Sequence, residues 1–92
     1  MKKKTIEIEF IEHVTLDGVK FDIPKALHEA LERDTDIYVS CAADCFLAWQ
    51  GSLMSVLMPF MDSGIITSVQ GLDLLFDYTD RGSSLRKKNH ER

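Results

Sequence analysis

Between Thr5 and Leu16 apolar and polar side chains alternate: Ile6, Ile8, Phe10, Val14 and Leu16 share one parity, and only Glu12 breaks it. A period of two marks a strand with one buried face. Asp17-Gly18 follows, and glycine accepts the positive φ of a type I′ hairpin turn. A two-residue loop pairs Leu16 with Val19 and Val14 with Phe21. That register puts Phe21 and Ile23 on the same buried face as Ile6, Ile8 and Phe10.

The period then changes. Ile23, Ala26, Leu27, Ala30 and Leu31 recur at helical spacing, with Lys25, His28, Glu29, Glu32 and Arg33 turned away. Pro24 suits a first helical turn, Asp22 is placed to cap it or favour its dipole, and Asp34-Thr35-Asp36 is expected to end it. Ile37, Val39 and Cys41 alternate with Tyr38 and Ser40 and predict a short strand. Residues 42–52 fit either the return arm of a hairpin or the start of a helix, and the alanine pair favours helix. Leu53, Val56, Leu57, Phe60 and Met61 form one helical stripe after Ser52, with Pro59 expected to bend the helix or limit it to its last turn and Ser63-Gly64 as the stop. Ile65–Val69 and Leu72–Tyr78 read as two strands around Gln70-Gly71. From Thr79 the chain turns polar, and Gly82-Ser83-Ser84 reads as a linker into a loosely ordered tail.

These elements predict one α+β domain over residues 1–80, with a basic tail over 81–92. The expected sheet is mainly antiparallel, built from an N-terminal and a C-terminal hairpin, with two or three helices on one face. Ninety-two residues suffice for one modest core, which leaves binding through the outer surface as the expected mode of action.

Charge sharpens this picture. Lys2, Lys3 and Lys4 give the first four residues +3, and residues 81–92 carry +4. Between them, Lys20, Lys25 and Arg33 face fourteen acids, so the body carries −11 within a net charge of −4. Such segregation presents two opposite fields. Glu29, Glu32, Asp34 and Asp36 are the candidate acidic patch for a protein partner, and Asp73, Asp77 and Asp80 gather near the second hairpin. Arg81, Arg86, Lys87 and Lys88 are candidates for contact with a nucleic-acid backbone. No aromatic RNA-binding signature, GXXG loop or zinc knuckle accompanies them.

Catalytic patterns are missing. No serine lies in a G-x-S-x-G context, and the five glycines form neither a dinucleotide fingerprint nor a P-loop. His13 and His28 are isolated and are read as solvent-facing, and Glu7 and Glu9 as a solvated strand face. Cys41 and Cys45 are close in sequence but have no paired histidines to complete a zinc site. They are read as inert buried thiols, which fits a reducing cytoplasm. No cofactor and no metal are expected. Gln50, Gly51, Ser52, Ser55 and Pro59 interrupt the 17-residue uncharged stretch after Asp44, which argues against a membrane span. Met54, Met58 and Met61 form a second stripe beside the apolar one. That stripe is surplus for a helix with one buried face and suits an adaptable binding surface. Trp49 is the nearby candidate anchor.

In its length, acidic body, α+β pattern, N-terminal M-K-K-K-T-I-E-I-E-F strand and lack of catalytic motifs, the chain resembles phage-encoded anti-CRISPR proteins of the type I-F class. That family shares no motif, so no functional residue carries over. The resemblance implies a non-enzymatic inhibitor in the cytoplasm of a bacterial host. It would bind a multi-subunit CRISPR surveillance complex of the Cascade type stoichiometrically and block target DNA access or guide RNA pairing, with the basic ends touching guide RNA. The alternative is a small homodimeric accessory or regulatory domain that self-associates through the methionine stripe.

Overall fold

A computed structural model describes residues 8–90. Lys2–Lys4, Ile6 and Glu7, which the sequence reading used, lie outside the described residues. The chain runs β1 (Phe10–Val14), β2 (Lys20–Pro24), α1 (Lys25–Ser40), α2 (Phe46–Asp62) and α3 (Ser68–His90). Among the described residues the architecture is therefore α+β: one two-stranded antiparallel sheet and three helices.

The N-terminal hairpin forms at the expected place but in another register. Val14 pairs with Lys20, His13 with Phe21 and Ile11 with Ile23. The loop holds three residues, Leu16, Asp17 and Gly18. The Gly18 N–H donates to the Thr15 carbonyl and the Thr15 N–H to the Val19 carbonyl, both at 2.9 Å. Gly18 takes φ +87°, so the turn is a type I turn closed by a glycine in the left-handed region. The Thr15 hydroxyl accepts the Val19 N–H at 3.0 Å and locks this form. One extra loop residue inverts the faces of β1. Ile11, His13 and Thr15 turn inward with Phe21 and Ile23, and Ile8, Phe10, Val14 and Leu16 turn outward.

α1 begins directly after Pro24, whose fixed φ suits that position; no side chain caps it, Asp22 included. The helix does not end at residues 34–36, and the strand expected over 37–41 is its last turn. Leu27, Leu31, Thr35 and Tyr38 keep one face buried at helical spacing. The ambiguous segment is helical from Phe46 onward, whereas Ala42 and Ala43, the pair that favoured helix, lie in the connection before α2. Trp49, Leu53 and Leu57 are its buried face, and Pro59 lies in its last turn. Gly64 at φ +78° closes it, donating to the Met61 carbonyl.

The second hairpin is absent from the described residues: 68–78 belong to α3. Its start is a reciprocal cap, in which the Gln70 N–H donates to the Thr67 hydroxyl (3.0 Å) and the Thr67 N–H to the Gln70 amide oxygen (2.9 Å). Gly71, Leu74, Leu75, Tyr78 and Gly82 form its buried face. The boundary expected after residue 80 falls inside this helix, and residues 81–90 are its last turns. The core lies where the three helices meet the inner face of β2, around Ile23, Leu27, Leu31, Leu53, Leu57, Ile66 and Leu74, all at most 2% exposed.

Candidate interaction surface

The hairpin is fastened to α3 by polar groups that the sequence reading did not bring together. Asp77 is buried on α3, with its side chain 2% exposed. Its Oδ1 accepts the Leu16 N–H at 2.7 Å, and its Oδ2 meets His13 Nε2 at 2.9 Å and accepts Arg81 Nε at 2.7 Å. Arg81 Nη2 donates in turn to the Val14 carbonyl. His13 is thus buried rather than solvent-facing, enclosed by the rings of Tyr78 (5.6 Å, stacked) and Phe21 (5.8 Å, tilted). Its imidazole is an inward anchor for β1, bonded to a carboxylate and walled by rings. The arrangement serves attachment and offers no nucleophile for the imidazole to activate.

Beside it, the Tyr78 hydroxyl donates to Glu32 Oε1 at 3.0 Å and meets His28 Nδ1 at 3.2 Å. Burial, reinforced by the Glu32 carboxylate, pushes the Tyr78 phenol well above its ordinary value. His28 is accordingly half-buried and engaged.

Of the residues singled out from sequence, Glu29, Glu32 and Asp36 share one exposed face of α1, together with Arg33, which dilutes their charge. Asp34 turns toward α2 and lines a shallow cleft with Ile37, Tyr38 and Trp49. Trp49 is 3% exposed and stacked on Tyr38 at 4.0 Å, with Phe46 edge-on. It is a core residue and not a surface anchor, because the continued α1 brings Tyr38 onto it. The methionine stripe is likewise divided. Met54 and Met61 are half-buried against the core, Met61 lying over Gly71, and Met58 alone of the three is exposed.

The basic candidates separate in the same way. Arg81 is committed to Asp77. Arg86 donates to the Tyr38 and Cys41 carbonyls at 2.8 and 2.6 Å and lies over the Tyr38 ring at 5.1 Å. It satisfies carbonyls at the end of α1. Lys87 and Lys88 are exposed. Cys41 and Cys45 are free, half-buried thiols at the two ends of the α1–α2 connection. The Cys45 thiol is pushed up, first by the neighbouring Cys41 thiol and then by burial, opposite to the shift a reactive thiolate requires. Among the described residues, no group of three or more His, Cys, Asp or Glu side chains is placed to hold a metal ion, and no helix is long and apolar enough to cross a membrane.

The feature that the register reveals is apolar and outward. Ile8, Phe10, Val14 and Leu16 are uncovered on the hairpin, and Val69, Leu72 and Phe76 form an exposed stripe on α3 at helical spacing. Leu16 (60% exposed), Val19 (50%) and Phe76 (63%) line one cleft of about 130 Å³ with Asp17, Asp73 and Asp80, so the hairpin turn and the end of the α3 stripe meet there. Comparison of the chain with protein families, curated proteins and solved structures found no match in any of the three. The surface must therefore be read from its own chemistry. Apolar patches of this kind, rimmed by polar residues, are the character of a protein-binding site. The cleft within it has room for one side chain rather than an enclosed substrate.

Proposed function

We propose that this chain is a non-catalytic binding protein that acts by occupying part of the surface of a larger nucleic-acid-handling assembly. One observation carries the reading: large apolar side chains of β1 and α3 stand outward, Leu16 and Val19 of the turn adjoin Phe76 of α3 at the hairpin tip, and polar residues anchor the hairpin inward. In its specific form the partner is a CRISPR surveillance complex of the type I-F class, and the bound protein blocks target DNA access or guide RNA pairing. Chain length, the −11 body and the resemblance described above support that form. With Arg81 and Arg86 engaged within the fold, Lys87 and Lys88 are the residues of α3 left to contact guide RNA, so protein contacts dominate.

The test is capture by the tagged protein from a bacterial lysate carrying a type I-F system, followed by a target DNA-binding assay with the captured complex. Recovery of the complex with DNA excluded is expected, and substitution of Phe10 and Val14 by Thr should abolish recovery. Recovery of the bait alone overturns the specific form. A second reading, a homodimer, is favoured by the uncovered outer face of the hairpin rather than by the divided methionine stripe. Sedimentation that shows only monomer at high protein concentration rejects it.

A further inference from the structure

The cleft at the hairpin tip has a character that selects among partners. Its apolar floor comes from Leu16, Val19 and Phe76, and its rim from Asp17, Asp73 and Asp80, with no basic residue in the lining. A second pair of acids lies on the outer face of the hairpin: Glu12 stands directly across from Asp22, both exposed, between outward Phe10 and Val14, with exposed Lys20 across from Val14 on the same face. Like charges in that position repel. Neither forms an ion pair with a Lys, Arg or His among the described residues.

Building on the binding-protein reading, we propose that this surface receives a basic amphipathic helix of a protein partner, with apolar residues seated on Leu16, Val19 and Phe76 and a lysine or arginine set between the acids of the rim. Val69, Leu72 and Phe76 present apolar groups on successive turns of α3, the spacing at which a second helix lies alongside. Charge disfavours a second copy as the occupant of this cleft. A twofold contact here would bring one acidic rim onto another, and like-charge juxtaposition opposes association. Lysine and arginine suit the site because their stems cover apolar surface while the charged head reaches the carboxylates.

The experiment uses the whole chain and a labelled 15-residue peptide of leucine and lysine at amphipathic helical spacing. One control peptide replaces leucine by serine, and another replaces lysine by glutamate. Fluorescence anisotropy gives affinity, and amide chemical shifts locate the site. The Leu/Lys peptide should bind, moving amides over 15–20 and 69–80, and the controls should bind far more weakly. Phe76→Ser should weaken binding by at least about tenfold, as for a central anchor. Asp73→Asn with Asp80→Asn should weaken it and flatten its salt dependence. Leu72→Ser is the second variant if Phe76→Ser lowers the thermal midpoint.

Equal binding of the Ser/Lys or the Leu/Glu peptide overturns the proposal, as does binding that Phe76→Ser and Leu72→Ser leave unchanged, or no binding at all. Shifts of the same amides that grow with protein concentration in the absence of peptide give the cleft to a second copy and also overturn it. The broader reading fails separately: loss of capture of the surveillance complex with peptide binding intact removes the CRISPR partner and leaves the basic-helix site standing.

Discussion

Replacing Asp77 by alanine tests the attachment of the hairpin most directly. The carboxylate is the shared acceptor for a backbone N–H of the turn (2.7 Å) and the Arg81 guanidinium (2.7 Å), and it pairs with His13 (2.9 Å). Removing one partner of a buried, hydrogen-bonded charge network costs about 3–5 kcal/mol. Two features reduce that figure. The Arg81 side chain is 38% exposed and regains water once released, and the Leu16 N–H lies in an exposed turn. His13, with its side chain 7% exposed, has no such recourse. We expect a loss of about 3 kcal/mol by urea denaturation, with an unchanged m-value. For a domain of this size that is a fall of roughly 12–24 °C in thermal midpoint. Asp77→Asn keeps an acceptor for the Leu16 N–H and loses the charge pairing, so it should cost less, about 1–2 kcal/mol. Amide exchange over 10–24 should accelerate before that of α2. An alanine variant within about 1 kcal/mol of the parent, or an asparagine variant as damaging as alanine, refutes the claim that this network holds the hairpin.

Four further outcomes are expected. A Cβ at Gly82 would lie 2.5 Å from two ring carbons of buried Trp49, so Gly82→Ala should cost about 1–2 kcal/mol despite alanine's helix propensity, whereas Gly71→Ala meets only the flexible Met61 side chain and should stay within about 1 kcal/mol of neutral in the same urea titration. The Tyr78 phenol is raised in the folded state, so its contribution is complete below the phenol's ordinary value near 10 and is lost as pH rises through the folded value; stability measured above about pH 10 should fall in the parent and fall less steeply in Tyr78→Phe. Arg86→Ala removes two hydrogen bonds to α1 carbonyls and the cover over Tyr38, and should lower stability by about 1–2 kcal/mol, which equilibrium unfolding will show. Thr35 Oγ1 is buried without a hydrogen-bond partner, so Thr35→Val should raise stability by about 1 kcal/mol in the same assay.

Local chemistry made the hairpin, the start of α1 and the body of α2 legible in the sequence, because Asp17-Gly18, Pro24 and the Leu53–Leu57 stripe act within a few residues. The register was not legible. Two-residue and three-residue loops both accommodate Asp17-Gly18, and the choice depends on Asp77, 61 residues beyond Leu16. α3 was misread for a different reason. Alternation of Leu72, Leu74, Phe76 and Tyr78 is also compatible with a helix apolar on most sides, and Gly71 and Gly82, which suit a turn and a linker, here permit close helix contact. One signal could have decided it: Thr67-Ser68-Val69-Gln70 is a capping-box sequence. The candidate surface was hidden by the register error, since the strand face expected to be buried is the outward one. Trp49 and Arg86 looked available only because α1 was cut short before Tyr38.

The inverted face of β1 is difficult to explain by stability alone. A slip of one residue would turn Ile8, Phe10, Val14 and Leu16 inward, and full burial of such side chains contributes roughly 1.5–3 kcal/mol each. The fold instead places a histidine and a threonine beside Ile11 on the inner face, meets the histidine with a buried aspartate that an arginine also holds, meets the threonine hydroxyl with the Val19 N–H, and leaves four large apolar groups in water. A hydrogen-bonded polar network tolerates little change of geometry, whereas apolar contacts tolerate more. The network therefore fixes the register and holds the outward face in one arrangement. Local choices that run against stability mark functional surfaces. Here the conflict falls on β1 and the adjoining turn of α3, where the acids and the exposed apolar groups meet. The same residues that make the hairpin costly to fold in this register make its outer face suited to a partner.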